Sequence, residues 1–414
     1  MRITILTYGS RGDVQPCLGL AVALQQAGHT PVLVLPGLFR SLADEAGITS
    51  ESLPGDIAQL SEGINRAGKN LFAMVRAMKE NIEPVAIAVA RAARQACQGA
   101  DLIVHTFAFT LGAHAFARQL DIPDVSVQFF PMFIASADYP QLAFPELPLG
   151  ARYNRLTHHL GNAIFSLSQR SMYPRIRNGI PNAPTQLPWP FKESGGRSAT
   201  SLLLAYSATL VPPDPDPGPH VETTGFWLWD KSNSYRPAPA LVEFLAGGPP
   251  PVCVGFGSMI HPNSHRLQRA LLDGLRKAGQ RAVVLTGWDG WAAAEPGPDR
   301  LFLKSAPHDW LFPRCAAIIH HAGAGTTAAA LRSGKPNVTL PLAADQPFWA
   351  RRIRACGASP APLDARTLTS THVAAAVCEA IESQTIQQQA FVTGNAILNE
   401  AGLEKAIEVI NRFA

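Results

Sequence analysis

The chain has 414 residues, 47% of them hydrophobic and 16% charged, with a formal net charge of +4. That length suits two domains, and the mild basic excess, with no long Lys/Arg tract, lacks the electrostatic footprint of a nucleic-acid binder. The cysteines Cys17, Cys97, Cys253, Cys315, Cys356 and Cys378 are scattered with no CxxC pair, which indicates neither a zinc site nor a disulfide framework and points to a reducing compartment.

The chain opens directly on a buried strand, Arg2 to Thr7, with no apolar leader before a cleavage site. The loop Gly9-Ser10-Arg11-Gly12-Asp13 follows, then a helix over Gln15 to Ala27 and a second strand over Val32 to Leu35. This is the βαβ start of a Rossmann-like domain. Gly9 and Gly12 do not make GxGxxG, and the second strand ends in Leu35-Pro36-Gly37 with no acid for a ribose, which counts against a dehydrogenase. Asp13, at a strand end and helix start, reads as a helix-capping acid or as a chemical group.

Residues 57 to 98 read as helices, with Leu60, Ile64, Leu71, Val75, Met78 and Ile82 as a packing face or as helices beside a cleft. Strands are predicted over Asp101 to Thr106 and Val125 to Val127, with a helix over Phe107 to Gln119 between them. His105 either assists Asp13 or is a satisfied structural histidine. From Phe129, Phe130, Met132 and Phe133 through Tyr139 to Pro148 the chain is rich in aromatics and prolines. It is either the wall of an apolar pocket or core beneath a loop. A helical stretch over 151 to 190 and a strand over Ser201 to Ala205 lead to VPPDPDPGPH at 211 to 220. Proline at that density is a semi-rigid linker.

A second doubly wound pattern follows, with strands at Pro251 to Phe256, Arg281 to Leu285 and Leu301 to Lys304, and a glycine loop at Gly257-Ser258-Met259. Its centre is 305 to 357. The apolar strand Ala316 to Ile319 ends in His320-His321, the small turn Ala322-Gly323-Ala324-Gly325 follows, and Thr326-Thr327 start a helix that Gly334 and Pro336 stop. Strand, glycine turn and helix N-terminus make an anion site, because free N–H groups and the helix dipole both favour phosphate. The next strand, Asn337 to Leu342, carries Asp345-Gln346 just beyond its end, where ligands of open α/β sheets bind. Helices over Val373 to Ile381 and Leu398 to Ile410 end the chain.

The segments A-P-H-D-W-L-F, H-H-A-G-A-G-T-T and D-Q-P-F-W, with G-S-R-G-D-V-Q-P at 9 to 16 and G-F-G-S-M at 255 to 259, resemble the GT-B glycosyltransferases of the UDP-glycosyltransferase superfamily, most closely the sterol 3-beta-glucosyltransferase branch. The resemblance implies an α/β GT-B fold with two Rossmann-like domains facing a central cleft. The domains are expected at 1–210 (acceptor), 211–220 (linker) and 221–390 (nucleotide sugar), with 391–414 a helix crossing back to the first. It also implies roles. Asp13 matches the general base that deprotonates the acceptor hydroxyl. His321 matches the histidine on the diphosphate, with Gly323, Gly325 and Thr326 cradling the phosphates and Gly257 and Ser258 adding donors. Asp345 and Gln346 match the pair that reads sugar hydroxyls, and Ala306 and His308 offer backbone to the base. Phe129, Phe130, Met132, Phe133 and Tyr139 would line the acceptor site.

The implied reaction is inverting transfer of glucose from UDP-glucose to a sterol or similar apolar alcohol, with no metal and no other cofactor. Two departures bear on the donor. Ser305 stands where plant relatives stack a tryptophan on uracil, and Ala329 where they bind ribose with a glutamate. A dTDP-sugar transferase acting on a polyketide or other natural-product aglycone is therefore the alternative, and a non-catalytic nucleotide-binding partner protein the reading from another class. A cytoplasmic protein is expected. Arg170, Arg175 and Arg177, or Arg351, Arg352 and Arg354, are candidates for contact with anionic lipid or a plain solvated face.

Overall fold

The computed structural model describes residues 1–55, 76, 80, 85–177, 180–183, 185–186, 200–214, 220–257, 264–287, 291 and 297–414. Most of the helices expected over 57 to 98 therefore lie outside the described residues, as do Ser258 and Met259. The chain divides into two compact units. The first is Met1–Ala208 with Pro212–Trp229 and Ala401–Ala414, and the second is Thr209–Val211 with Asp230–Glu400.

In the first unit, β1 (Arg2–Leu6), α1 (Arg11–Gln26) and β2 (Thr30–Pro36) make the expected βαβ start. There follow α2 (Arg40–Glu45), β3 (Ser50–Leu53), α3 (Ala86–Ala96), β4 (Leu102–Thr106), α4 (Thr110–Leu120), β5 (Asp124–Gln128), α5 (Gly150–Arg177), β6 (Ser201–Leu204) and β7 (Val221–Thr223). The seven strands are parallel and ordered β3-β2-β1-β4-β5-β6-β7. β1 is buried at Ile3, Ile5 and Leu6 and β4 at Leu102, Ile103 and Val104. Continuous apolar strands are what a sheet covered on both faces requires.

The second unit runs α6 (Pro239–Ala246), β8 (Val252–Gly255), α7 (Ser264–Lys277), β9 (Ala282–Leu285), β10 (Arg300–Leu303), α8 (His308–Leu311), β11 (Ala317–His320), α9 (Ala324–Arg332), β12 (Asn337–Thr339), α10 (Gln346–Ala355), α11 (Ser370–Glu382) and α12 (Gln384–Leu398). Its parallel sheet is ordered β10-β9-β8-β11-β12. Successive side chains of a strand point to opposite faces. Val252, Val254 and Ile319 accordingly pack into one core cluster, and Cys253, Val283 and Ile318 into another. Both sheets reverse their winding between their first and fourth strands, and ligands bind beyond the strand ends at such a switch point.

The expected boundaries shift in two places. Residues 221–229 belong to the first unit, not the second, because β7 pairs with β6 (Leu202 beside Val221) and Thr224 N–H donates to Leu204 O at 3.0 Å. Proline density marked the connection but not the strand behind it. The single helix expected over 391–414 is two. Ala401 sits in the left-handed region at φ 51°, which ends helical pairing, and α13 (Gly402–Asn411) begins after it. α13 packs on α1 within the first unit.

Candidate active site

In the second unit β8 and β11 are neighbours, so the loops beyond them meet. The loop after β11 is held by its first histidine. His320 is fully buried; Ala322 N–H donates to its Nδ1 at 3.1 Å, so Nε2 carries the proton and donates to Asn337 Oδ1 at 2.8 Å. That clamp supports Ala322 at φ 63°, a backbone region costly for a residue with a Cβ. The turn then presents His321 and ends on Gly323, the N-cap of α9.

Gly323 contributes no side-chain cap, so the first N–H groups of α9 are not closed by their own helix. The helix starts earlier than expected: Gly325, Thr326 and Thr327 all lie inside its first turn. A Cβ on Gly323 would come within 2.5 Å of His321 Nε2, and one on Gly257 would lie 3.6 Å from His321 Cε1. The two glycines thus bracket the imidazole, Gly257 itself being left-handed at φ 61°. Burial holds His321 down to about 3, with the nearby His320 and His308 adding to the effect, and holds His320 at about 4. Both rings are neutral at physiological pH. The Nδ1 of His321 and the Oγ1 of Thr327 are buried without a hydrogen-bond partner. A neutral imidazole, uncapped helix-start amides and buried polar atoms without partners are together suited to cradle an anion.

Asp345 and Gln346 begin α10 on the neighbouring strand's loop. Asp345 Oδ2 accepts from the indole N–H of fully buried Trp349 at 2.8 Å. Gln346 Oε1 accepts from Leu342 N–H at 2.8 Å and Ala343 N–H at 3.0 Å. The glutamine carbonyl is therefore committed to a turn that contains left-handed Ala344, at φ 53°. Ala306 is buried, and His308 stacks on Phe312 with ring centroids 4.3 Å apart, which fixes the segment preceding α8.

In the first unit the first turn of α1, just beyond β1, carries Asp13. It is not the helix N-cap; Ser10 is. Ser10 Oγ accepts from Gly12 N–H at 3.2 Å, while Asp13 Oδ2 accepts from Ser10 N–H at 2.8 Å and Ser10 Oγ–H at 3.0 Å. In this reciprocal capping box both Ser10 donors bind the same carboxylate oxygen, Oδ2. Gly9 is required here, because a side chain at that position would collide with the Asp13 carboxylate. Burial pushes the Asp13 carboxyl above its usual range, and the Ser10 hydrogen bonds only partly offset it. A carboxylate whose ionised form is disfavoured by burial can act as a proton acceptor.

His105 does not assist Asp13. Its Nε2 lies 2.9 Å from Asp124 Oδ2, and His114 Nδ1 lies 2.9 Å from Oδ1. Thr200 Oγ donates to Asp124 Oδ2 at 2.9 Å. Burial alone would raise the Asp124 carboxyl, but the two histidines hold it well below the usual range.

The aromatic segment divides. Phe129 packs edge-on against Trp227 at 6.0 Å, and Tyr139 against His158 at 5.7 Å, so both rings are built into the interior. Phe130 and Phe133 gather around Phe107, at 5.9 and 6.0 Å, and Phe165 of α5 lies 5.0 Å from Phe107, with Phe133 and Phe165 as buried as Phe129 and Tyr139. Gln128 Oε1 pins the backbone N–H groups of Met132 and Phe133 at 3.1 and 3.3 Å. Phe107, Phe165 and Trp349 were not singled out from the sequence. D-Q-P-F-W held the signal for Trp349, four residues past Asp345 and hence on the same helix face. Nothing local marked Phe165.

Residues 3–136 match the family described as Glycosyltransferase family 28 N-terminal domain, and residues 296–407 match Erythromycin biosynthesis protein CIII-like, C-terminal domain. The chain is 33% identical to an O-mycaminosyltylonolide 6-deoxyallosyltransferase of Streptomyces fradiae, over 100% of this chain and 98% of that protein. It is 30% identical to a sterol 3-beta-glucosyltransferase of Neurospora crassa, over 100% of this chain but only 27% of that protein. Among solved structures, glycosyltransferase VinC in complex with dTDP shares the fold at a TM-score of 0.67 and 17% identity, covering 100% of this chain and 99% of that one. The likeness to the antibiotic enzyme is at least as great as that to the sterol branch the sequence resembled. By full-length similarity, fold and paired domain matches, the chain belongs to the GT-B glycosyltransferases of the GT28/EryCIII-like family, which transfer a sugar to an aglycone.

Proposed function

We propose that this glycosyltransferase moves a sugar from a dTDP-sugar to a hydroxyl of a bulky apolar natural-product aglycone, with inversion at the anomeric carbon. The observation that carries the donor side is the His321 cradle: a neutral imidazole, free α9 amides and unpartnered buried polar atoms beside Gly257. Those groups stabilise the charge that grows on the departing diphosphate. Asp13 takes the proton of the attacking hydroxyl, and Asp345, held by Trp349, reads the sugar. The reading of dTDP over UDP rests on Ser305 and Ala329, which stand where plant relatives carry a stacking ring and a ribose acid. It is also supported by dTDP in VinC and by the full-length relative named for a deoxysugar. The acceptor rests on the cluster of Phe107, Phe130, Phe133 and Phe165.

The second reading is UDP-glucose to a sterol. The Asp345-Gln346 pair and the sterol enzymes that match along the whole of this chain favour it. Mass spectrometry of products decides between them: the protein is mixed with dTDP-glucose, a dTDP-6-deoxysugar or UDP-glucose, and with a panel of macrolactones and sterols. A glycosylated macrolactone from a dTDP-sugar is the expected product. A steryl glucoside from UDP-glucose alone overturns the donor and acceptor together. Nucleotide binding with no product in any combination leaves only the non-catalytic nucleotide-binding partner reading.

A further inference from the structure

We propose that the outward face of α5 docks this chain on an anionic lipid surface. The helix is turned inside out relative to an ordinary surface helix, which buries its apolar stripe. Its inner face is largely polar and hydrogen-bonded to the segment that packs beneath it. Asn154 Nδ2 donates to Ala137 O at 2.7 Å, Asn162 Nδ2 donates to Phe133 O at 2.9 Å, and His158 Nε2 lies 3.1 Å from Tyr139 O. Its outer face carries Leu156, Leu160, Ile164 and Leu167, all exposed, Leu167 at 71%. Steps of four, four and three place them in one row along the helix, spanning about 16 Å at the α-helical rise. Leu147 and Leu149, on the segment leading into the helix, are exposed as well.

The charge on this face decides the occupant. Arg152, Arg155 and Arg170 are exposed and, with His159, follow one edge of the leucine row. The 28 residues of α5 contain no Asp or Glu. α3, which packs against α5, contributes Arg91 and Arg94 and no acid. Glu146 is the acid that precedes the helix in the chain. A second copy packed antiparallel on this row would bring these arginines alongside those of its partner. An anionic bilayer instead accepts the leucines into its interfacial layer while the arginine stems reach back to the headgroups. The inference does not depend on the donor or acceptor proposed above.

The test is flotation of the whole chain with vesicles of phosphatidylcholine alone and of phosphatidylcholine with phosphatidylglycerol. Binding is expected to the mixed vesicles and to weaken as salt is raised. Arg152→Gln, Arg155→Gln and Arg170→Gln should each weaken it about fivefold, and Leu160→Ser with Leu167→Ser about tenfold or more. All five side chains are exposed, so thermal midpoints should stay at the wild-type value; the salt titration on the unmodified chain tests the charge argument without any variant. No partition into mixed vesicles overturns the proposal, as does equal binding by the wild type and the leucine variant. A dimer in sedimentation velocity that the leucine variant dissolves, with no lipid binding, overturns it in favour of a second copy.

Discussion

The two sheets share one winding and put opposite chemistry at the point where it reverses. Beyond β1 the chain builds a carboxylate that resists ionisation, Asp13, in a capping box. Beyond β11 it builds an imidazole that resists protonation, His321, at an uncapped helix start. Desolvation is the leading cause in both cases, and it favours the neutral form of each group. On the proposed function, one site is thereby poised to accept a proton, and the other offers an N–H to an anion without adding a full charge. Topology supplies the position; one loop residue and its burial supply the function.

Removing the proton acceptor should have the largest effect. Asp13→Asn is expected to lower kcat about 10³-fold, within the range for a positioned general base. The native carboxyl is destabilised by burial, so the variant's thermal midpoint should match or exceed the wild type. A variant that is both inactive and less stable would assign Asp13 to helix capping alone. His321→Ala should lower kcat/KM for the donor about 10- to 100-fold, the loss of a hydrogen bond to a charged group. Steady-state kinetics at varied donor concentration distinguishes this from a loss of acceptor affinity.

A smaller effect sharpens the comparison within the donor half. Trp349→Phe keeps the buried ring and deletes the N–H that holds Asp345. KM for the sugar nucleotide should rise about tenfold, while affinity for the free nucleoside diphosphate stays unchanged. If both fall together, Trp349 supports the whole cradle rather than Asp345.

The pH dependence of stability separates the two switch points again. His320 and His321 have folded values near 4 and 3, below that of an exposed histidine. The unfolded chain therefore takes up protons first as pH falls below about 6.5. Their contribution is complete above that value and declines towards the folded values. By pH 5 the loss should be about 2 kcal/mol per histidine. Denaturant unfolding at pH 7.5 and pH 5 measures it, and His320→Asn should flatten part of the slope. His158, also lowered by burial, acts in the same direction. Asp124, held below its usual range, matters only in stronger acid.

The donor half was the more legible in the sequence because its site is local. Strand, glycine turn, helix start and Asp345-Gln346 are contiguous, and each is announced by residue types with one backbone use. What escaped was the support: His320 as a clamp on Ala322, Gln346 turned back onto its own loop, and Trp349 behind Asp345. Those roles depend on side-chain direction, which spacing alone does not give. In the first unit the βαβ start was plain, but the aromatic cluster joins Phe107 to Phe165 across 58 residues, a pairing no local pattern encodes. β7 escaped because three residues after a proline-rich stretch carry too little periodicity to read.

The most direct test of the division of labour is a titration of dTDP into Asp13→Asn and His321→Ala by calorimetry, beside transfer assays on the same samples. Asp13→Asn should bind dTDP as the wild type does and transfer no sugar, whereas His321→Ala should bind dTDP about 10- to 100-fold more weakly. Full dTDP affinity in His321→Ala, or loss of dTDP binding in Asp13→Asn, would contradict the assignment of proton transfer to one switch point and anion binding to the other.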